Sequence, residues 1–149
     1  MLIVGAKGFA IEILEILYLN KYNKSIAFYD DINSDIIGKL FGKYQILKNE
    51  EDVKVFFQKN GPLYTIGIGL PGLRLKIYKK FQNLGGKFTS TISKNSEIGH
   101  HDTKIDIGCN ILSGVKISNS VSIGKGCLIY YNSIITHNCE IGNFIDISP

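Results

Sequence analysis

From residue 105 onward an isoleucine returns at every sixth position: Ile105, Ile111, Ile117, Ile123, Ile129, Ile135, Ile141 and Ile147. A period of six fits neither the 3.6-residue repeat of an α-helix nor the alternation of a flat strand. It is the signature of a parallel β-helix, in which each hexad supplies one short strand and three hexads close a triangular coil. The isoleucines then stack inside in layers about 4.8 Å apart. Four residues after each comes a second inward position of modest size, filled by Cys109, Val115, Val121, Cys127, Ser133, Cys139 and Ile145. Ile92 and Ile98 begin the same pattern, with one extra residue in "GHHDTK" before it resumes at Ile105. Corners between such strands favour residues able to take positive φ or to allow close backbone approach, a role suited to Gly99, Gly108, Gly114, Gly124, Gly126 and Gly142.

The inward positions account for all three cysteines. Cys109 and Cys127 are three hexads apart and should stack in adjacent coils as buried structural thiols. The three are odd in number and lack metal-ligand spacing with His100 or His101, so neither a disulfide framework nor a metal site is expected.

Before residue 90 the rhythm differs. "LIVG" (2–5) reads as a buried strand running into a helix with Ala10, Ile13, Leu14 and Leu17 on one face, and with Glu12 and Glu15 toward its positive end. "IAFYDD" (26–31) is a second strand. "NEEDVKVFFQK" (49–59) is a helix capped by Asn49, "LYTIGIG" (63–69) a third strand, and "PGLRLKIYKKFQNLGG" a helix with Pro71 near its start. A last strand is expected at about "KFTSTI" (87–92). Strands alternating with helices predict a parallel α/β sheet. The expected division is therefore residues 1–90, a Rossmann-like α/β unit, followed by residues 91–149, a left-handed parallel β-helix incomplete at its C-terminal end, where "ISP" stops inside a hexad.

Composition narrows the function classes. The chain is 44% hydrophobic and 20% charged, as in soluble globular proteins, with no apolar run near the ~18 residues of a membrane helix. "MLIVGAKGFA" meets glycine and lysine too soon for a secretory signal, so the expected location is cytoplasmic. The net charge of +4 comes from scattered lysines with no cluster among aromatics, which argues against nucleic acid and leaves room for an anionic small molecule.

Two stretches carry chemistry. "GAKGFA" (5–10) follows a strand and opens a helix, as a phosphate-binding turn does, although it spells GxxGxA and not GxGxxG. Asp30 and Asp31 end the next strand about 20 residues later, where an acid reaches the ribose or base of a bound nucleotide. In "SIITHNCEIG" (133–142), His137 lies outside both inward positions and is free to face a cleft.

The order of these parts resembles the NeuD/PglD family of bacterial sugar acyltransferases, through "GAKGFAIEIL", "FYDD", "IGIGLPGLRLKIYKK" and "NSIITHNCEIGNFIDISP". The resemblance covers the whole chain and implies acetyl transfer from acetyl-CoA, without a metal, to an amino or hydroxyl group of a nucleotide-linked sugar, of the UDP-4-amino-sugar or sialic acid type. It implies a homotrimer assembled through the β-helix. It carries Lys7, Gly8, Phe9, Asp30, Asp31 and Gly69 into the substrate site and makes His137 the general base, a role suited to imidazole near neutral pH. Two departures stand out. Asn138 follows the histidine where relatives have an acid, so it orients without adding charge. Asp146, at the position of a second histidine that contacts acetyl-CoA, becomes the cofactor-contact residue. The resemblance also implies further coils beyond those present here, so a truncated, non-catalytic nucleotide-sugar-binding remnant is the second reading. An NAD-dependent oxidoreductase, resting on the glycine turn alone, is the third.

Overall fold

The computed structural model describes residues 1–148. Its first part runs β1 (Leu2–Val4), α1 (Gly8–Leu19), β2 (Ala27–Tyr29), β3 (Lys39–Leu40), β4 (Tyr44–Leu47), α2 (Glu50–Asn60), β5 (Leu63–Ile66), α3 (Pro71–Asn83) and β6 (Lys87–Phe88). The sheet order is β3-β4-β2-β1-β5-β6, parallel throughout except for the antiparallel β3–β4 pair. Both faces are covered. Ile3 and Phe28 pack against Ala10, Ile13, Leu14 and Leu17 of α1, while Leu2, Val4, Tyr64 and Ile66 pack against α2 and α3 through Val53, Phe57, Ile77 and Phe81. Near-continuous apolar strands follow from this double burial.

Asn49 caps α2 as its sequence predicts, its side chain accepting from the Asp52 amide at 2.9 Å. The β3–β4 hairpin is an addition to the sequence reading. Of its three loop residues, Phe41 (φ 50°) and Gly42 (φ 67°) take left-handed backbone, and they are the central pair of the turn that Lys43 N–H closes by donating to the Leu40 carbonyl at 3.1 Å.

The second part is a stack of ten two-residue strands: β7 (Thr91–Ile92), β8 (Glu97–Ile98), β9 (Lys104–Ile105), β10 (Asn110–Ile111), β11 (Lys116–Ile117), β12 (Ser122–Ile123), β13 (Leu128–Ile129), β14 (Ile134–Ile135), β15 (Glu140–Ile141) and β16 (Asp146–Ile147). They form three parallel sheets, β7-β10-β13-β16, β8-β11-β14 and β9-β12-β15, the three faces of a triangular β-helix. Each isoleucine is the second residue of its strand and pairs with the isoleucine one coil above, for example Ile111 with Ile129 and Ile123 with Ile141. The expected strand over 87–92 is corrected: Phe88 ends the α/β sheet, and Thr91 already starts the first β-helix face. The chain turns between them because Ile92 must enter the isoleucine column.

From Asp102 onward one corner position of each hexad has left-handed backbone: Asp102, Gly108, Gly114, Ser120, Gly126, Asn132, Asn138 and Phe144, with φ from 52° to 77°. Between each corner and the next, the inward small residue and the isoleucine fill the interior, and Cys109, Val115, Val121, Cys127 and Ile129 are all fully buried. Cys109 and Cys127 donate to the carbonyls of Gly124 (3.2 Å) and Gly142 (3.0 Å) in the coil above.

Among the described residues, the α/β part covers the β7-β10-β13-β16 face and leaves the other two in solvent. Helix α1 lies against it through Ile16, with Leu112 and Leu128 fully buried and Phe9 and Tyr130 beside them. On the adjoining corner Tyr78 of α3 stands between Phe88 and Phe144, its ring centroid 5.2 Å from one and 5.5 Å from the other.

Ile123 is 3% exposed in the middle of the stack. An Ile123→Asp carboxylate would have no partner there, so the expected loss of unfolding free energy exceeds about 4 kcal/mol, read from urea or thermal unfolding. Native-like stability in that variant would contradict the inward register.

Candidate active site

A cavity of about 390 Å³ opens where the strand order reverses, at the C-terminal ends of β1, β2 and β5. This is where open α/β sheets bind ligands. Its apolar wall is Val4, Ile68, Leu73, Ile77 and Phe81, and its polar wall is Asp30, Asp31, Asn33, Lys76 and Lys80.

The two aspartates differ. Asp30 is buried, and its carboxylate accepts from the backbone amides of Ile32 (3.2 Å) and Asn33 (2.8 Å) and from Asn33 Nδ2 at both oxygens (3.0 and 2.8 Å). It is committed to shaping the loop. Asp31 accepts from Tyr29 Oη (2.8 Å) and Lys80 Nζ (3.1 Å) through Oδ2, which leaves Oδ1 for a ligand donor. Burial opposes ionisation of Asp31, yet the Tyr29 and Lys80 hydrogen bonds and the Lys80 charge outweigh it and hold its pKa below the ordinary value. Burial likewise opposes the Lys80 charge, and its bonds to Tyr29 and Asp31 override this, keeping the ammonium above the usual lysine range. Glu50 stands 3.4 Å away on the other side of Lys80.

The glycine turn borders the crevice through Gly5. Lys7 occupies the N-cap of α1 with no side-chain cap, and the first turn holds no acid. Glu12 and Glu15 thus lie farther along the helix than the sequence reading placed them, and the positive end is left for an anion. Above Gly8 and Gly69 there is open space where a β-carbon would point. Lys7 Nζ is held by Asn33 Oδ1 (2.7 Å), with Asp35 at 3.7 Å. Asn33, absent from the sequence reading, therefore ties the lysine of the turn to Asp30. Phe9 points elsewhere, its ring 5.7 Å from Tyr130 of the β-helix.

His137 is exposed on the corner between β14 and β15. It borders a groove along the β8-β11-β14 face with Lys116, Ser118, Ile134 and Thr136. Its Nδ1 is 3.1 Å from Asn138 Nδ2. The left-handed backbone of Asn138 (φ 60°), which asparagine accepts readily, brings the amide beside the ring. The amide orientation decides the chemistry. With Nδ2 donating to Nδ1, the ring proton resides on Nε2; with the amide turned over, Oδ1 accepts from Nδ1–H and Nε2 becomes a base.

The corner carrying His137 is opposite the face that the α/β part covers. Asp146 is on that covered face, in register above Leu128. Burial raises its pKa, and the Arg74 charge pulls against the rise. Of the residues singled out in the sequence, Asp30 and Asp31 line the crevice, Lys7 adjoins it through Asn33, and Gly8 and Gly69 lie outside its lining, in the segments that follow the lining residues Gly5 and Ile68; His137 with Asn138 is on the far edge and Asp146 apart from both. Among the described residues no group of three or more His, Cys, Asp or Glu is arranged to hold a metal ion, and no helix is long and apolar enough to cross a membrane.

A Rossmann-like crevice mounted on one face of a left-handed parallel β-helix defines a two-part class of protein. The PglD N-terminal domain profile matches residues 1–81, and the chain belongs to that family. Solved structures share the fold over 99% of this chain. GDP-perosamine N-acetyltransferase from Caulobacter crescentus, in complex with CoA and GDP-perosamine, is 18% identical with a TM-score of 0.85 over 68% of its own length. The acetyltransferase domain of PglB from Neisseria gonorrhoeae, in complex with acetyl coenzyme A, is also 18% identical, with a TM-score of 0.85 over 69%. WeeI from Acinetobacter baumannii is 22% identical, with a TM-score of 0.84 over 68%.

The division of labour between the aspartates is testable by stability alone. Asp30→Ala strands loop donors and should cost about 1–3 kcal/mol, whereas Asp31→Ala, at a half-exposed ion pair, should cost less than about 1 kcal/mol. Because the folded pKa of Asp31 is depressed, its contribution should be complete above pH ~4 and vanish as the pH falls through the folded value. Urea unfolding across pH reads both effects.

Proposed function

We propose that the protein transfers acetyl from acetyl-CoA to an amino group of a nucleotide-linked sugar, and that it works as a homotrimer in which His137 of one copy serves the nucleotide crevice of another. The observation that carries this reading is the separation just described: crevice on the covered face, histidine on the opposite corner. A base there reaches a sugar only when it belongs to a neighbouring copy. The family and the acetyltransferases that share the fold support the chemistry.

In this reading Asp31 and Lys80 receive the nucleoside, and the amides at the start of α1 with Lys7 receive the diphosphate. Lys76, on the same wall, adds positive charge. The sugar then extends out of the crevice. The groove beside His137 suits the acyl donor, because Lys116 offers a cation for phosphate and Ile134 an apolar surface for the pantetheine arm. Acetyl-CoA supplies the activated acyl carbon. The sugar amine attacks the thioester carbonyl, His137 Nε2 takes the proton from the nitrogen as the C–N bond forms, and the C–S bond breaks. The thiolate leaves with a proton, giving an amide and free CoA. In this reading the Asn138 amide is turned over from Nδ2 to Oδ1, so that Oδ1 accepts from Nδ1–H and Nε2 is left unprotonated.

His137→Ala should lower acetyl transfer by roughly 10²–10⁴-fold and leave nucleotide-sugar binding intact. Asp31→Ala should weaken that binding. Co-assembled in equal amounts, and assayed at nucleotide-sugar concentrations too low for Asp31→Ala to turn over, the two variants should recover about one quarter of the wild-type rate, since random mixing pairs an intact crevice with an intact neighbouring histidine that often. A chromatographic assay of the acetylated sugar decides the point. No recovery on mixing, or a His137→Ala variant as fast as its parent, contradicts the reading.

A further inference from the structure

Arg74 is the largest side chain to be completely buried among the described residues. No carboxylate there comes within salt-bridge distance of it. A cation in that position is costly unless its donors are well satisfied. Arg74 uses four of its five N–H donors, on three separate segments. Nη1 donates to the carbonyls of Ile66 (3.0 Å) and Ile68 (2.9 Å), Nε to the carbonyl of Gly126 (3.0 Å), and Nη2 to Asn110 Oδ1 (2.8 Å). Asn110 in turn donates to Thr65 Oγ1 of β5 (2.9 Å) and to Thr91 Oγ1 of β7. Burial lowers the guanidinium pKa only to about 10, so it stays charged at neutral pH.

The segments it joins give this arrangement its meaning. Ile66 to Ile68 is the end of β5 and the start of the crevice wall, with Ile68 lining the cavity itself. From the other side the same segment is clamped by the glycine turn, since any β-carbon on Gly67 would strike Ala10. Gly126 and Asn110 belong to two successive coils of the β-helix. An apolar residue would fill the space with no charge to bury, but only a planar five-donor fork can fix these parts in one mutual orientation.

We infer that Arg74 is a positioning residue for acetyl transfer: by locking the wall of the nucleotide crevice to the β-helix coils, it sets where the bound sugar is delivered to the histidine of the neighbouring copy. This rests on the function proposed above. Copies that assemble through their β-helices fix the histidines relative to one another, so the angle between crevice and β-helix is the remaining variable. An offset of about 1 Å at a reacting centre is enough to cost up to 10²-fold in rate.

The test uses Arg74→Met, Arg74→Lys and Asn110→Leu in the full chain. Leucine fits the last site, because Leu128 occupies the same column one coil above. Two readouts are combined: kcat and KM for the nucleotide sugar, and the pulsed dipolar distance between spin labels at Lys59→Cys and Lys116→Cys in a Cys139→Val background, Val121 holding that inward position one coil below. Asn110→Leu should lower kcat at least about 10-fold with KM within about 2-fold, while the label distance shifts or broadens. Arg74→Met should lower kcat about 10²-fold and also raise KM, because it frees the crevice wall, and Arg74→Lys should not restore either value. Unchanged kcat in Asn110→Leu, whatever its melting temperature, overturns the inference, and that variant decides if Arg74→Met does not fold. A wild type that transfers no acetyl group would refute the proposed function instead. The label distances would then decide alone, an unchanged narrow distance in Asn110→Leu and Arg74→Met counting against the positioning role.

Discussion

The constraint on which everything else depends is that a β-helix has three equivalent outer faces and the rest of this chain can cover only one. What singles out the β7-β10-β13-β16 face is its outward column, Thr91, Asn110, Leu128 and Asp146. The column Lys104, Ser122 and Glu140 is polar or charged, and Glu97, Lys116 and Ile134 on the third face likewise remain in solvent. Leu128 offers apolar area, and Asn110 offers a donor and an acceptor that α/β side chains can satisfy. Once that face is chosen, the exposure of His137 on the opposite corner, away from the crevice, follows from the triangular section.

The two halves were not equally legible in the sequence. The isoleucine period could be read directly, because each inward position is filled from one chemical class and an error of one residue would expose the entire column. Helices α1, α2 and α3 were legible from their apolar spacing and from Asn49 and Pro71. The β3–β4 hairpin was not, since its strands are two and four residues long and Phe41 is an unusual residue for left-handed backbone. The end of the sheet was misjudged because "KFTSTI" has uniform β-propensity, and nothing local shows that Phe88 and Thr91 pair in different sheets.

The candidate site shows the same limit. Asp30 and Asp31 are chemically identical in the sequence, and only the loop they shape separates an internal acceptor from one facing the cavity. Arg74 read as one more basic residue on an amphipathic helix, because its partners are carbonyls of Ile66, Ile68 and Gly126, which have no sequence signature. Asn110 was hidden for a related reason: outward positions of a hexad vary freely unless something lies against them. His137 is singled out as a candidate by its motif, while its separation from the crevice is a property of the closed coil.

The extra residue between Ile98 and Lys104 has a separate consequence. Paired positions are 19 residues apart across it, as from Glu97 to Lys116, and 18 apart beyond it, as from Lys104 to Ser122. The stack absorbs the difference at one corner without disturbing the layers on either side. That corner lies along the same edge as His137, two coils below. Lineages of such chains can therefore lengthen or decorate this edge, reshaping the approach to the histidine, while the interior that gives the coil its strength is inherited unaltered.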